Sequence, residues 1–331
     1  MKLSEIRPYN EFCLGCGNNL TLSVLQSIDE KYKNVVINNN YDYIVRHEIS
    51  DCKKEFNLIN MKYTNFNMEG DLFTNGKYFT FNSDEEMLTT IKNLLNENKF
   101  VFPFVDLFYW VDGNFSYEKN HWYHYTLLQS YDEKNDCFSV IDYEYKKGVD
   151  IYTVSCKKFL KAVKTSGKQQ VEINAYDVNP NIRIKDITKK TLVYNAHRLV
   201  KSISVMEEFT YWDMLDDDFR LNSYRDFNYV DLYLLVQRHS ITLKLFNEIK
   251  KIKICDTGIL DNIEKLVLEN FKKWTIIRRS VYKLYLQNEF QKSIKKINSK
   301  VRDAFSKEKL MWELFIEAME KIDVNYILFK F

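Results

Sequence analysis

The stretch HWYHYTLLQSYDEKNDCFSVIDY, residues 121–143, decides how the front of this chain folds. Two β-rich apolar runs, His124–Tyr131 and Cys137–Tyr143, flank a polar segment of Asp, Glu, Lys, Asn and Asp. Such a segment turns the chain back on itself, so the spacing predicts an antiparallel hairpin. Positions 124 and 142 share the mean register 133, inside that turn, which sets His124 and Asp142 side by side on paired strands. An imidazole held on a strand, with a carboxylate on its second nitrogen, is what a general base in a nucleophilic site requires.

Outward from this hairpin the front of the chain mixes element types. Leu20, Val24, Leu25 and Ile28 fall on one helical face, which predicts a helix from Cys16 to Ile28. Asn34–Ile37, Tyr43–Val45 and Phe56–Met61 read as short strands. Ser83 precedes Glu86 by three residues, a capping-box signature that opens a helix to about Asn96. Phe100–Trp110, Asp150–Val154 and Gln170–Tyr176 read as further strands. Asn179-Pro-Asn-Ile182 breaks the pattern. Beyond about Ile184, the segments 192–205, 229–252, 258–300 and 301–322 are free of Pro and amphipathic. The longest of them either breaks near Trp274 or persists as one helix. The expected architecture is α+β, with a mixed domain over 1–178 and an all-helical domain over 179–331.

Composition narrows the function. The 331 residues include only 8 Gly and 3 Pro, and neither Gly-rich phosphate-loop pattern occurs, which argues against nucleotide binding through such loops. The net charge of +2 hides an asymmetry: residues 1–180 carry 20 basic and 25 acidic side chains, and the remainder 28 and 21. Residues 253–309 alone carry 14 basic and 7 acidic groups. Asp261, Glu264, Glu269 and Glu289 interrupt that stretch, so it reads as a solvated helix face, or next as a surface for an acidic protein, rather than a nucleic-acid track. No secretory signal and no membrane-length apolar run is visible, so a cytoplasmic location with free thiols is expected for the six Cys.

One of those thiols is placed for chemistry. Cys16 begins the first helix between two glycines, where the helix dipole lowers a thiol pKa. With His124 as base and Asp142 as its orienting group, Cys16 completes a Cys-His-Asp triad. Cys13 is three residues upstream and remains a rival nucleophile. The C-x-x-C pair also has a redox or zinc reading, although no second Cys/His pair is spaced to complete a zinc site. No metal or cofactor is expected.

Three stretches together resemble the papain-like superfamily, and within it the bacteriocin-processing peptidases and the N-terminal domain of the butirosin-biosynthesis acyltransferase. They are CGNNLTLSVL (16–25), FPFVDLFYW (102–110), and HWYHYTLLQSYD (121–132) with VID (140–142). Ser130 stands where the family usually has Gly, and Glu144 replaces a common Pro. The resemblance covers about residues 1–165 and implies acyl transfer through Cys16, His124 and Asp142. It further implies an oxyanion donor a few residues before the nucleophile, for which Asn10 is the counterpart, beside the Cys16 backbone N–H. Asp106 and His121 are expected to shape the substrate site; a strand-end cap is an equal reading for Asp106, and His121 takes part only if it lies in the loop before the strand. The nearest-looking relatives move acyl groups from a carrier protein's phosphopantetheine thioester onto an amine during antibiotic biosynthesis. The expected function is therefore amide formation by acyl transfer from such a carrier to a small amine, with a peptidase or amidase using water as the alternative. Neither nucleic acid nor membrane is an expected partner. The acidic cluster Glu207, Glu208, Asp213 and 216–218 reads as a solvated helix end, and His47, His197 and His239 as surface or satisfied core.

Overall fold

The computed structural model describes residues 2–320 except 13, 33–40, 50–54, 64–72, 113, 115, 145–147, 167–170, 180–187, 211–220, 252–256 and 288–289. In chain order its helices are α1 (Cys16–Ile28), α2 (Asp84–Asn96), α3 (Cys156–Lys164), α4 (Lys189–Met206), α5 (Leu221–Lys251), α6 (Thr257–Leu286) and α7 (Phe290–Glu320). The strands are β1 (Tyr41–Ile49), β2 (Glu55–Tyr63), β3 (Phe73–Phe79), β4 (Phe100–Asp106), β5 (Tyr123–Tyr125), β6 (Leu127–Asp132), β7 (Cys137–Glu144), β8 (Gly148–Ser155) and β9 (Ile173–Val178). The protein is mixed α+β, and among the described residues no helix is long and apolar enough to cross a membrane.

Two compact units divide the chain, one of residues 1–33 and 66–184, the other of 34–65 and 185–331. This differs from the expected 1–178 and 179–331 division. The hairpin of β1 and β2 lies within the front of the sequence but packs on α4 and α5, so the back unit is not all-helical. The reason is apolar burial: Tyr41, Tyr43 and Ile59 sit in the same core cluster as Leu199, Leu232 and Phe305.

The first unit is built on an antiparallel sheet in the order β3-β9-β4-β6-β7-β8, with β5 paired to β4. β4 is central, and six of its seven residues are buried. Pro103 lies at the last rung of the β4–β9 pairing, where its missing N–H is tolerated, and its carbonyl accepts from Thr126 N at 3.1 Å. That contact marks the break between β5 and β6, which the sequence shows as one run. The predicted hairpin of β6 and β7 is present, with Asp132 Oδ1 accepting from Lys134 N (2.9 Å) and Asn135 N (3.2 Å) across the turn. Its register differs: Leu127 faces Ile141, and a bulge between Leu128 and Ser130 shifts the later pairs by one.

Helices cover this sheet. The capping-box helix α2 starts where Ser83 Oγ accepts from Glu86 N (3.1 Å), and Glu86 returns a bond from Asn82 N (3.1 Å). Met87, Ile91, Leu94 and Leu95 form its buried stripe. α3 was not expected from the sequence. Ser155 caps it at Lys158 N, and Cys156, Phe159, Ala162 and Val163 face the core, where Phe159 meets Phe138 and Trp110.

The second unit packs α5 on α6, and α7 on both α4 and α6. The long run 258–300 is not one helix, since α6 ends at Leu286 and α7 begins at Phe290, and it does not break near Trp274, which is fully buried in mid-helix. At its centre lies a buried polar cluster. Tyr43 Oη donates to Glu308 (2.8 and 2.9 Å to its two oxygens), Tyr41 Oη donates at 3.1 Å, and His239 Nε2 is 3.5 Å away. Three lysines of the basic stretch are paired within this unit: Lys273 with Asp303, Lys307 with Glu269 (3.7 Å) and Lys309 with Glu207 (2.7 Å). Asp213 and 216–218 lie outside the described residues.

Candidate active site

The helix that begins at Cys16 is anchored along one polar stripe. Asn19, Ser23 and Ser27 recur at helical spacing and face the segment that leads into the helix. Ser27 Oγ accepts from Arg7 N at 2.8 Å, and Ser23 Oγ from Tyr9 N at 2.9 Å. Asn19 is buried and donates to the carbonyls of Phe12 (2.7 Å) and Tyr9 (3.3 Å), while its oxygen accepts from Leu14 N (2.7 Å). Gly15 then turns the chain into the helix at φ +96°, a backbone conformation that favours glycine. Cys16 is thereby fixed at the first position of α1, whose amide groups point toward it. Its side chain, like Cys13 as a whole, lies outside the described residues.

α1 packs against β5, β7 and β8. β5 carries His124, opposite Val105 of β4, and β7 carries Asp142. The ring Nε2 of His124 stands 3.0 Å from Asp142 Oδ1 and 3.2 Å from Oδ2. The two are not direct cross-strand partners, since the observed register extends to Thr126 opposite Asp142. They meet because the imidazole, carried two residues before Thr126 and past the break between β5 and β6, reaches across to the carboxylate on β7. The side chains are 10% and 2% exposed, so this pair is shielded from bulk water.

Asp142 has two further donors that sequence reasoning missed. Trp110 donates its indole N–H to Oδ2, and Tyr143 N donates to Oδ1 at 2.6 Å. Trp110 is fully buried against Phe159 and ends the short 3-10 turn Leu107–Tyr109 that follows β4. A carboxylate contacted by three nitrogens is held in one orientation, and it fixes the tautomer of the imidazole beside it.

Asn10 is placed differently from the expected oxyanion donor. Its amide clips onto one residue of β8, with Nδ2 donating to Val149 O and Oδ1 accepting from Val149 N, both at 2.7 Å. Gly148, at φ +84°, makes the room: a Cβ there would come within 2.4 Å of Asn10 Oδ1. The amide acts as a lock between the N-terminal segment and β8.

Asp106 and His121 form a second pair. His121 precedes β5, in the loop, and its Nδ1 is 2.6 Å from Asp106 Oδ2. Asp106 is fully buried and also caps the 107–109 turn by accepting from Phe108 N at 3.0 Å. The strand-end cap expected of Asp106 is therefore present, and the same carboxylate tethers His121. His121 is half exposed and stacks on Phe108, with centroids 4.6 Å apart and planes at 13°.

The remaining imidazoles lie elsewhere. His197 contacts Glu320 at the surface (3.1 Å), and the side chain of His47 is outside the described residues. His239 is buried and, among the described residues, neither ring nitrogen has a hydrogen bond, so the expectation of a satisfied core histidine does not hold. Burial lowers its pKa to about 3, while burial of Glu308 raises that carboxyl to about 7. Of the thiols, Cys156 is buried and its pKa is raised, first by desolvation and then by Asp136.

No protein-family model matches the chain, and no curated protein matches it.

Proposed function

We propose that the first unit is a papain-like acyltransferase that forms an amide through an acyl-Cys16 intermediate. The observation that carries this reading is the buried His124–Asp142 pair, held by Trp110, on strands β5 and β7 that pack against the helix beginning at Cys16. In this reading Asp142 engages Nε2, so Nδ1 of His124 moves the proton. It takes the thiol proton, the thiolate attacks the thioester carbonyl, and the N-terminal amides of α1 stabilise the oxyanion. The donor thiolate leaves with a proton from the imidazolium. His124 then accepts the proton of the incoming amine, which displaces Cys16 and releases the amide. With water as the acceptor, the same steps would make a peptidase or amidase.

The donor is a phosphopantetheine thioester, as on a carrier protein, and the acceptor is a small amine of natural-product biosynthesis. The test mixes the protein with an acyl-phosphopantetheine thioester and an amine, and follows the amide by mass spectrometry. Cys16→Ala and His124→Ala should each abolish amide formation. Full amide formation by Cys16→Ala would refute the reading, and free acid as the sole product would replace transferase by hydrolase.

A further inference from the structure

A groove of about 530 Å³ opens on the first unit between the 107–109 turn, the turn at Tyr117 and α3. This is within the range of about 300–1,000 Å³ typical of small-ligand sites. Phe108, Tyr109 and Tyr117 supply its rings, and Lys157, Lys158 and Lys161 its cations. Each ring is fixed by a partner on one face. The Lys161 ammonium lies 4.1 Å from the Tyr109 centroid, that of Lys158 4.4 Å from Tyr117, and Phe108 stacks on His121. His121 is itself tethered to the fully buried Asp106. Lys158 is also paired with Asp112, which leaves Lys157 and Lys161 to meet a ligand. Among the described residues Glu118 is the one carboxylate in the wall, so the three lysines keep the groove positive even with Asp112 included.

Flat rings beside ammonium groups, in a concavity of this size, suit a ligand with a planar base and phosphates. The groove is joined to the candidate active site in sequence. Phe108 and Tyr109 line it, and the next residue, Trp110, holds Asp142.

We propose that this groove binds the adenine nucleotide head of a coenzyme A-borne acyl donor. The rings take the base, and Lys157 and Lys161 take the phosphates. The identity of the arm attached to that head rests on the acyl-transfer reading above, whereas the nucleotide contact does not. A phosphopantetheine thioester can come from a carrier protein or from free coenzyme A, and only the second brings an adenine nucleotide.

The experiment is calorimetric titration of the full chain with adenosine 3′,5′-bisphosphate, which has no thioester and needs no turnover. Saturable binding is expected, weakening as salt is raised. It should be at least about tenfold weaker in Lys157→Gln/Lys161→Gln and unchanged in Cys16→Ala. An unchanged melting curve would show that the double lysine variant is folded. No binding, equal binding by the lysine variant, or pyrophosphate binding as tightly as the nucleotide would each overturn the proposal. A second arm compares acyl donors. The lysine variant should lose transfer from a coenzyme A thioester and keep transfer from the matching pantetheine thioester; equal loss of both would overturn the proposal. Nucleotide binding without any Cys16-dependent transfer would retain the groove and refute the acyl-transfer reading alone.

Discussion

Replacing Trp110 by Phe removes one N–H donor from Asp142 while keeping an aromatic ring in the packing with Phe159. The indole bond goes to a buried carboxylate, and hydrogen bonds to charged groups contribute about 1.5–3 kcal/mol. The smaller ring adds a cavity term, so the single-variant loss exceeds the value of the bond. A double-mutant cycle with Asp142→Asn separates the two effects, because the cavity term is common to both Trp110→Phe backgrounds. The side-chain amide introduced by Asp142→Asn would also have to turn its NH2 toward one of the existing donors, Trp110 or Tyr143. The expected coupling energy between the two sites is about 1–2 kcal/mol. Urea unfolding followed by amide exchange in β7 reads the first unit without interference from Trp274 and Trp312 of the second. Additive effects, with a coupling below about 0.3 kcal/mol, would refute the claim that the indole holds the carboxylate.

Other outcomes follow from the same geometry. Asn19→Ala strips three hydrogen bonds from the segment before Cys16 and should cost about 2–4 kcal/mol by chemical denaturation, with a neutral result counting against the anchor. Gly148→Ala should destabilise by about 1–3 kcal/mol through its positive φ and the collision with Asn10, and Asn10→Ala should relieve part of that cost; strict additivity would deny the lock. In the second unit Glu308 and His239 act in opposite directions with pH. Glu308, raised from 4.5 to about 7, favours folding below pH 4.5 and loses that contribution as pH rises to 7. His239, lowered from 6.5 to about 3, contributes above pH 6.5 and loses it as pH falls toward 3. Their slopes offset each other between pH 4.5 and 6.5. His239→Phe should therefore tilt this interval, so that stability falls on the order of 3 kcal/mol between pH 4.5 and 7, and a flat profile would contradict the assignment.

Local chemistry was readable where one residue type has one physical use. Ser83 and Glu86 announced α2, and the polar run from Asp132 to Asp136 announced the β6–β7 turn. The same local view missed α3, because Ser155 caps it without an acidic residue three positions on. It offered a break near Trp274 or one unbroken helix and met neither, since a buried Trp274 suits mid-helix as well as a helix end. The pairing of His124 with Asp142 was foreseen from a register that the bulge after Leu128 alters. The pair survives because the long imidazole on β5 still reaches Asp142 on β7. The Trp110 bond, the docking of the β1–β2 hairpin on α4 and α5, and the Glu308 cluster were invisible for a different reason. Each is defined by contacts between residues tens to hundreds of positions apart, such as Trp110 with Asp142 and Tyr43 with Glu308. Asn10 shows the converse: a residue at a plausible spacing whose amide the fold joins to Val149.

The central claim is that the imidazole held by Asp142 activates the thiol of Cys16, and it can be tested without substrate. Alkylation by iodoacetamide as a function of pH, mapped to individual cysteines by mass spectrometry, distinguishes Cys16 from Cys13 and uses buried Cys156 as an unreactive control. The account predicts that Cys16 reacts well below the ordinary thiol pKa of about 8.5, and that His124→Ala returns it to ordinary behaviour. Preferential labelling of Cys13, or a Cys16 profile unchanged by His124→Ala, would contradict it.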